Sequence, residues 1–375
     1  MKITAAVVDE RHGPFTVREV LLDEPRHGEV LVRIVATGIC HTDSITRHGD
    51  LPFPLPGVLG HEGAGVVEAI GPGVEGIGEG DHVVLGWPWC GECRNCLDGQ
   101  PRYCLRLKDL LVGGGRPDGS TALRDLDGTP LASHFFGQSS FATHAVVPYR
   151  GLVKVDPGLP LELLGPLACG LSTGAGAVLN VLRPHAGASL AVYGVGSVGL
   201  AAVMAARNTG ATRIIAVDRH AARLALAQRF GATDTVNALE ADAVSAVHEI
   251  CGGPADFSLE CTGNVAVCRQ AADSVGMRGV CALIGGAPAG AEVRFDHLST
   301  LWGKRIVGIL GGEGRSAELI GTMIDLHRQG RFPFQELITR FPFERIGDAL
   351  KAAETGEVLK PVLVQRSSGT AIAPG

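Results

Sequence analysis

The segment from Ala188 to Ala206 limits most strongly what this chain can fold into. It carries no charged residue and is long enough to cross a bilayer, but Gly194, Gly196 and Gly199 divide it. β-forming residues precede these glycines and small helix-forming residues follow them. We therefore predict a strand, a tight turn and a helix rather than a membrane span.

The three glycines form the pattern Gly-x-Gly-x-x-Gly, which is specific when a strand precedes it and a helix follows. The first glycine permits the tight turn, the second lets a pyrophosphate approach the backbone, and the third allows close packing of helix and strand. Phosphate charge would then lie at the helix N-terminus. The predicted dinucleotide contacts in this turn are Gly194, Gly196, Val198 and Gly199.

Asp218 ends the next predicted strand, about twenty residues further on. Its carboxylate can accept hydrogen bonds from the adenosine ribose hydroxyls and would repel a 2′-phosphate, so the sequence favours NAD over NADP. Arg219 and Arg223 leave an alternative open, since either can meet a phosphate if the loop turns differently. We include Arg223 among the candidate cofactor contacts.

At 375 residues the chain exceeds what one hydrophobic core usually organises, so we predict two domains. Up to about residue 150 the sequence is typical of short strands and glycine-rich turns. From 188 to 310, apolar strands alternate with helical stretches, which indicates a parallel sheet covered on both faces. The strands predicted there are Ser189–Tyr193, Arg213–Val217, Asp256–Glu260, Val280–Ile284 and Arg305–Ile309.

The C-terminal part of the chain is predicted to contain two helices, at 317–328 and 344–354. The final strand, 359–365, has no neighbouring sheet of its own, so we expect it to return to the first domain. The last eight residues are predicted to be disordered.

Composition restricts the class of protein. The formal charge is only −6 and the basic residues are scattered, which argues against nucleic acid as a partner. Residues 1–10 lack a basic segment followed by an apolar one, so we expect a cytoplasmic enzyme with no membrane partner. In that compartment the ten cysteines point to metal before disulfides.

Two groups of metal-ligating residues stand out. Cys90, Cys93, Cys96 and Cys104 place four sulfurs in one short loop, which suits a closed, structural zinc site better than disulfides or chance clustering. The second group is dispersed, and spacing alone cannot join its members. A buried cysteine can be a small hydrophobe, and a histidine after glycine can simply satisfy a turn. This group comprises Cys40, His61, Glu62 and Cys169.

The block Gly60–Gly65 (GHEGAG), the cysteine loop and the glycine turn occur in an order that closely resembles the zinc-containing medium-chain alcohol dehydrogenases. The resemblance extends over nearly the whole chain. Leu164–Gly170, Thr173–Asn180 and Cys40–Asp43 are most similar to the aryl, or benzyl, alcohol dehydrogenases.

The resemblance implies an α/β fold of two domains. A GroES-like, β-rich catalytic domain would comprise 1–170 and 312–375, with the structural zinc lobe at 90–104. A Rossmann domain, a doubly wound parallel sheet that binds NAD, would comprise 171–311. We expect the chain to form a homodimer or a homotetramer.

The resemblance also implies that Cys40, His61 and Cys169 bind a catalytic zinc, so that each chain holds two Zn²⁺ ions. The fourth position would remain open for water or substrate, as a Lewis-acid zinc requires. Glu62 would lie behind the metal and ligate it transiently, while Asp43 would orient His61.

Other roles are implied by the same matching. His41 would face the NAD pyrophosphate, Lys360 would contact it from the last strand, and Thr173 would lie beside the nicotinamide. Thr42 matches the hydroxyl that contacts both the substrate oxygen and the nicotinamide ribose.

The sequence departs from many relatives at Ile45, where they continue the proton path with a histidine. We predict that the path ends at the ribose and that solvent takes the proton. His48 is an alternative acceptor if its loop folds inward. 

The implied reaction passes a hydride between NAD and a hydrophobic, aryl-type primary alcohol. Trp87 and Trp89 are candidates for an aromatic wall of the substrate site, although simple packing explains them equally well. Alternative substrates are terpenoid allylic alcohols such as geraniol, short aliphatic alcohols and a thiol adduct of formaldehyde. A non-catalytic member of the family is a further alternative.

Overall fold

The structure is a computed structural model and describes residues 1–366. The predicted disorder of the last eight residues lies outside this range. The strands of the described part are β1 Lys2–Val8, β2 Phe15–Leu22, β3 Glu29–Gly38, β4 Gly57–Val58, β5 Glu62–Ile70, β6 His82–Leu85, β7 Leu123–Arg124, β8 Pro130–Leu131, β9 His144–Pro148, β10 Leu152–Val155, β11 Ser189–Tyr193, β12 Arg213–Asp218, β13 Asp234–Asn237, β14 Ala255–Glu260, β15 Val275–Leu283, β16 Arg305–Gly308, β17 Ile338–Pro342 and β18 Lys360–Val364. The α-helices are α1 His41–His48, α2 Arg94–Leu97, α3 Leu107–Val112, α4 Leu161–Leu164, α5 Gly170–Gly176, α6 Ser197–Ala206, α7 Ala221–Phe230, α8 Ala243–Cys251, α9 Val265–Asp273, α10 His297–Leu301, α11 Ser316–Arg328 and α12 Ile346–Glu354.

The chain forms two compact units. Of the described residues, the first contains 1–169, 315–320 and 335–366, and the second contains 170–314 and 321–334. The sequence assigned residue 170 and everything from 312 onward to the first domain, so 170, 312–314 and 321–334 group differently from that expectation. A hydrogen bond from Asn208 Nδ2 to the carbonyl of Arg331, 3.2 Å long, is one of the contacts that tie the later segment to the second unit.

The first unit contains two sheets. One has the strand order β4-β1-β2-β7-β8, and the other has the order β10-β6-β5-β3-β18-β17, with β9 also paired to β3. In β3, side chains at alternate positions, such as Val30, Val32 and Ile34, are buried in one apolar cluster, as the period of a strand requires. Residues Val362–Val364 pair antiparallel with Ala36–Gly38, which confirms that the final strand returns to this unit.

The second unit is a six-stranded parallel sheet with the order β13-β12-β11-β14-β15-β16. This is the doubly wound order in which ligands bind beyond the carboxyl ends of the strands. Sequence analysis predicted five of these strands and missed β13. That strand lies at the sheet edge and has one fully buried residue, Val236, so it lacks an apolar run.

The segment 188–206 folds as predicted. Its strand, β11, is buried along its whole length, Gly194 has a φ of +84°, and α6 begins at Ser197. Within residues 1–366, no single helix has both the length and the hydropathy of a membrane span, although the bent pair Leu161–Ala168 and Gly170–Leu182 meets both criteria jointly.

Candidate functional site

The four dispersed ligand candidates meet at one point of the first unit. Cys40 directly precedes α1, His61 and Glu62 lead into β5, and Cys169 follows a turn of 3-10 helix. One ligand atom from each of the four lies within 4.8 Å of the others. The fold therefore brings together residues that spacing could not join.

Asp43 fixes the orientation of His61. Its Oδ1 accepts a hydrogen bond from His61 Nδ1 at 3.0 Å and another from the backbone N–H of Gly60 at 3.1 Å. Its Oδ2 accepts from the backbone N–H of Cys40 at 2.9 Å. The other ring nitrogen, His61 Nε2, is buried and has no hydrogen-bond partner among the described residues. Such a nitrogen, held toward two thiols and a carboxylate, fits a metal ion.

The pKa of the Cys40 thiol also suits a metal. A hydrogen bond from Cys169 lowers the pKa of Cys40 well below its usual value, against the opposing effect of burial. A thiolate is the form that binds zinc.

Lys360 pairs with Glu62 in the structure. Its Nζ donates to both Glu62 carboxylate oxygens, at 2.9 and 3.0 Å, and to the carbonyl of Ile39 at 3.3 Å. Burial alone would lower the pKa of Lys360, but the Glu62 carboxylate outweighs burial and raises it above the usual range. All three donors of the ammonium are engaged within the first unit, and the contact of Lys360 with the NAD pyrophosphate stays a prediction.

Thr42 lies beside the cluster, with its hydroxyl 3.7 Å from Cys40 Sγ. His48 is six residues further along α1, which separates the two by about 9 Å along the helix axis. The His48 ring stacks on His12 at 5.1 Å, and its Nε2 lies 2.9 Å from Arg47 Nη2. These contacts do not support the alternative in which His48 continues the proton path from Thr42.

An aromatic wall adjoins the cluster. The ring of Phe136 lies 4.5 Å from the His61 ring, and Phe135 meets His61 edge-on at 5.5 Å. Trp87 contacts Phe136 at 5.1 Å. Trp89 contacts Arg150 instead: its Nε1 donates to the Arg150 carbonyl.

Sequence analysis missed two buried polar residues. Gln138 donates to the carbonyls of His61 and Leu85 at 2.9 and 2.7 Å and accepts from the N–H of Gly63 at 3.1 Å, so it fixes the start of β5. Arg102 is 2 % exposed, and burial lowers its pKa to about 10 while the charge of Cys169 opposes that effect. Neither residue belongs to a motif, because their contacts arise only in the folded chain.

The cysteine lobe, residues 90–104, contains the second metal group. Ligand atoms of its four cysteines also lie within 4.8 Å of one another, and Cys93 Sγ is 3.4 Å from Cys96 Sγ. Backbone N–H donors, that of Leu105 first, lower the pKa of Cys93 to about 6. Four sulfurs at these separations, with backbone donors aimed at them, fit the tetrahedral zinc predicted from the sequence.

The glycine turn of the second unit has room for a dinucleotide. A Cβ on Gly196 would meet no atom within 4 Å, whereas a Cβ on Gly199 would overlap the Gly194 carbonyl oxygen. Open space at the second glycine and close packing at the third are what pyrophosphate binding requires. Asp218 Oδ2 accepts from the N–H of Val195 at 2.8 Å, which ties the end of β12 to this turn.

The other predicted cofactor residues have these positions. Val198 lies in the first turn of α6, and its carbonyl is so close to Gly174 that a Cβ there would overlap it. Thr173 therefore belongs to a helix, α5, that packs directly on α6. Arg223 is half-buried in α7, and His41 is exposed at the first position of α1.

Comparison with known proteins accounts for both units. The family model of the alcohol dehydrogenase GroES-like domain matches residues 26–157, and that of the zinc-binding dehydrogenases matches 197–327. The geraniol dehydrogenase of Castellaniella defragrans is 46 % identical over 368 residues, which cover 96 % of this chain and 97 % of that protein. The chain belongs to the zinc-dependent medium-chain alcohol dehydrogenases. The predicted GroES-like and Rossmann domains are thereby confirmed, as are zinc and NAD as cofactors of this alcohol dehydrogenase.

Two further relatives bear on its chemistry. The crystal structure of benzyl alcohol dehydrogenase from Acinetobacter calcoaceticus matches this alcohol dehydrogenase with a TM-score of 0.94 and 41 % identity, covering 98 % of this chain and 100 % of that one. The S-(hydroxymethyl)glutathione dehydrogenase of Paracoccus denitrificans is 36 % identical, over 97 % of this chain and 100 % of that protein. The family is therefore established, while its members are named for three different alcohols.

Proposed function

We propose that this alcohol dehydrogenase oxidises aryl-type primary alcohols such as benzyl alcohol, with NAD in preference to NADP. The observation that carries the proposal is the aromatic wall of Phe135 and Phe136 against the ring of His61, with Trp87 behind Phe136. Aromatic side chains favour ring substrates through offset and edge-on contacts. The likeness to a protein named benzyl alcohol dehydrogenase supports the same assignment.

The residues in and around the cluster have different roles in the proposed reaction. Zinc, when bound by Cys40, His61 and Cys169, supplies a Lewis acid that lowers the pKa of an alcohol. Thr42, whose hydroxyl is close to Cys40 Sγ, would accept the alcohol proton and release its own hydroxyl proton, which reaches solvent by way of the ribose. The side chain of Ile45 has no group that could carry a proton further. Asp218, at the end of β12, supports the preference for NAD.

A terpenoid allylic alcohol is the second candidate, because the relative from Castellaniella defragrans is named geraniol dehydrogenase. Values of kcat/KM for benzyl alcohol, geraniol, cyclohexanemethanol and ethanol, each with NAD and with NADP, test the proposal. We expect benzyl alcohol with NAD to have the highest value. Cyclohexanemethanol is the matched control, since it has similar size and no π face. A higher value for geraniol or for cyclohexanemethanol contradicts the aryl assignment.

A substitution of Phe136 tests whether the aromatic wall determines the selectivity for benzyl alcohol over ethanol. We expect Phe136→Leu to lower kcat/KM for benzyl alcohol about tenfold and to change that for ethanol little, because ethanol does not reach the ring. Phe15→Leu is the matched control, because Phe15 packs on Phe141 rather than on His61. Equal losses for both alcohols would contradict the role of Phe136. We also propose a homodimer or homotetramer, which sedimentation velocity measures directly.

A further inference from the structure

A cavity of about 380 Å³ lies in the first unit, next to the cysteine lobe. Two indole rings, Trp87 and Trp89, and three guanidinium groups, Arg102, Arg150 and Arg315, belong to its lining. No aspartate or glutamate lines it, and neither does any residue of the Cys40 cluster. The volume is within the range of small-molecule sites, and the cationic, aromatic lining includes no residue that binds the catalytic metal.

Arg102 is the unusual member of this lining. It is 2 % exposed, and its Nε, Nη1 and Nη2 have no hydrogen-bond partner among the described residues. The guanidinium lies 4.8 Å from the centre of the Trp87 ring. A cation–π contact offsets only part of the cost of burying a charge, and buried charges in proteins are normally paired. Protonated Arg102 therefore needs a hydrogen-bond acceptor, and the described residues do not supply one.

The other two arginines add to the positive charge of the cavity. Arg150 lies over the Trp89 ring at 5.5 Å. Arg315 is exposed and pairs with Glu318 at 3.9 Å. The described lining thus contains three cations and no carboxylate.

We propose that this cavity binds a small aromatic carboxylate. The planar fork of a guanidinium matches a carboxylate with two parallel hydrogen bonds, and the indole faces suit the attached ring. The carboxylate would supply the acceptor that Arg102 lacks, and Arg150 and Arg315 would attract the anion. The inference does not depend on which alcohol the enzyme oxidises.

Titration of the zinc-loaded enzyme with sodium benzoate at constant ionic strength tests the proposal. Two of the three tryptophans line the cavity, so we expect saturable quenching of their fluorescence. Arg102→Met, which keeps the length of the side chain and removes its charge, should weaken benzoate binding at least tenfold. Arg106→Met is the matched control, because Arg106 belongs to the same region but pairs with Glu92 at the surface. It should leave binding unchanged.

Three comparisons make the test decisive. Benzoate should raise the thermal midpoint of the wild-type enzyme and not that of Arg102→Met. If Arg102→Met does not fold, Arg150→Gln/Arg315→Gln should weaken binding severalfold. Benzoate should not compete with benzyl alcohol in steady-state kinetics. The proposal is overturned if benzoate binds Arg102→Met as well as wild type, if it competes with the alcohol, or if acetate and phosphate bind equally well.

Discussion

At the scale of single residues, the ion pair of Lys360 and Glu62 governs the back of the metal cluster. Both side chains are buried, with exposed fractions of 3 % and 0 %. Moving two charges out of water costs several kcal/mol for each ion, and only close geometry with further hydrogen bonds offsets that cost. Here the Ile39 carbonyl takes the third donor of the ammonium. The pair therefore fixes Glu62 in place. Loss of either side chain would destabilise the protein, because the remaining charge would be buried without its partner.

We expect Lys360→Met to destabilise the zinc-loaded protein by about 3–5 kcal/mol, because it leaves the buried Glu62 carboxylate without its ammonium partner. The double variant Lys360→Met/Glu62→Gln should recover most of that loss, since its amide carries no charge. Urea unfolding measures both. Lys351→Met, an exposed lysine of α12, is the control and should change the unfolding free energy by less than about 0.5 kcal/mol. Equal losses in the single and double variants would show that packing rather than charge is responsible.

At the scale of elements, the turn between β11 and α6 contains one glycine that the fold requires and another that ligand binding requires. Gly199 lies where α6 packs on the backbone of Gly194, so its lack of a side chain serves the fold. Gly196 precedes α6 with open space beside it, so its lack of a side chain serves a ligand. The same sequence motif thus contains two glycines with different physical functions.

Alanine substitutions should distinguish these two roles. We expect Gly199→Ala to lower the thermal midpoint by several degrees, because its Cβ overlaps a backbone carbonyl that cannot move freely. Gly196→Ala should leave the midpoint unchanged and weaken NADH binding about tenfold or more, since the methyl group occupies space that the pyrophosphate needs. Differential scanning calorimetry and NADH fluorescence provide the two readings. A stable Gly199→Ala variant, or normal NADH affinity in Gly196→Ala, would contradict this division.

At the scale of the whole molecule, the sequence predicts what is local and periodic. The strand β11 and the glycine turn follow from apolar runs and turn residues, and the return of β18 follows from the absence of a neighbouring sheet in its own part of the sequence. The metal cluster does not, because Cys40 and Cys169 are far apart in the chain and only the family resemblance joined them. Contacts of single buried polar residues, such as those of Gln138 and Lys360, depend on tertiary packing that no local pattern encodes. For the same reason, the unpaired charge of Arg102 became visible only in the folded chain.

The two metal groups should make separate contributions to the molecule. Leu97 and Leu105 of the lobe region are 72 % and 60 % exposed, so apolar burial contributes little there and the metal must hold the loop. We expect Cys93→Ser to lose one of two zinc ions by elemental analysis and to become sensitive to trypsin at Arg94 and Arg106, while its second unit still binds NADH. Cys251→Ser, whose sulfur belongs to neither metal group, should keep both ions and resist trypsin. If Cys93→Ser kept both ions and an intact lobe, the sulfur of Cys93 would not be needed to bind zinc. Packing rather than the metal would then stabilise the lobe.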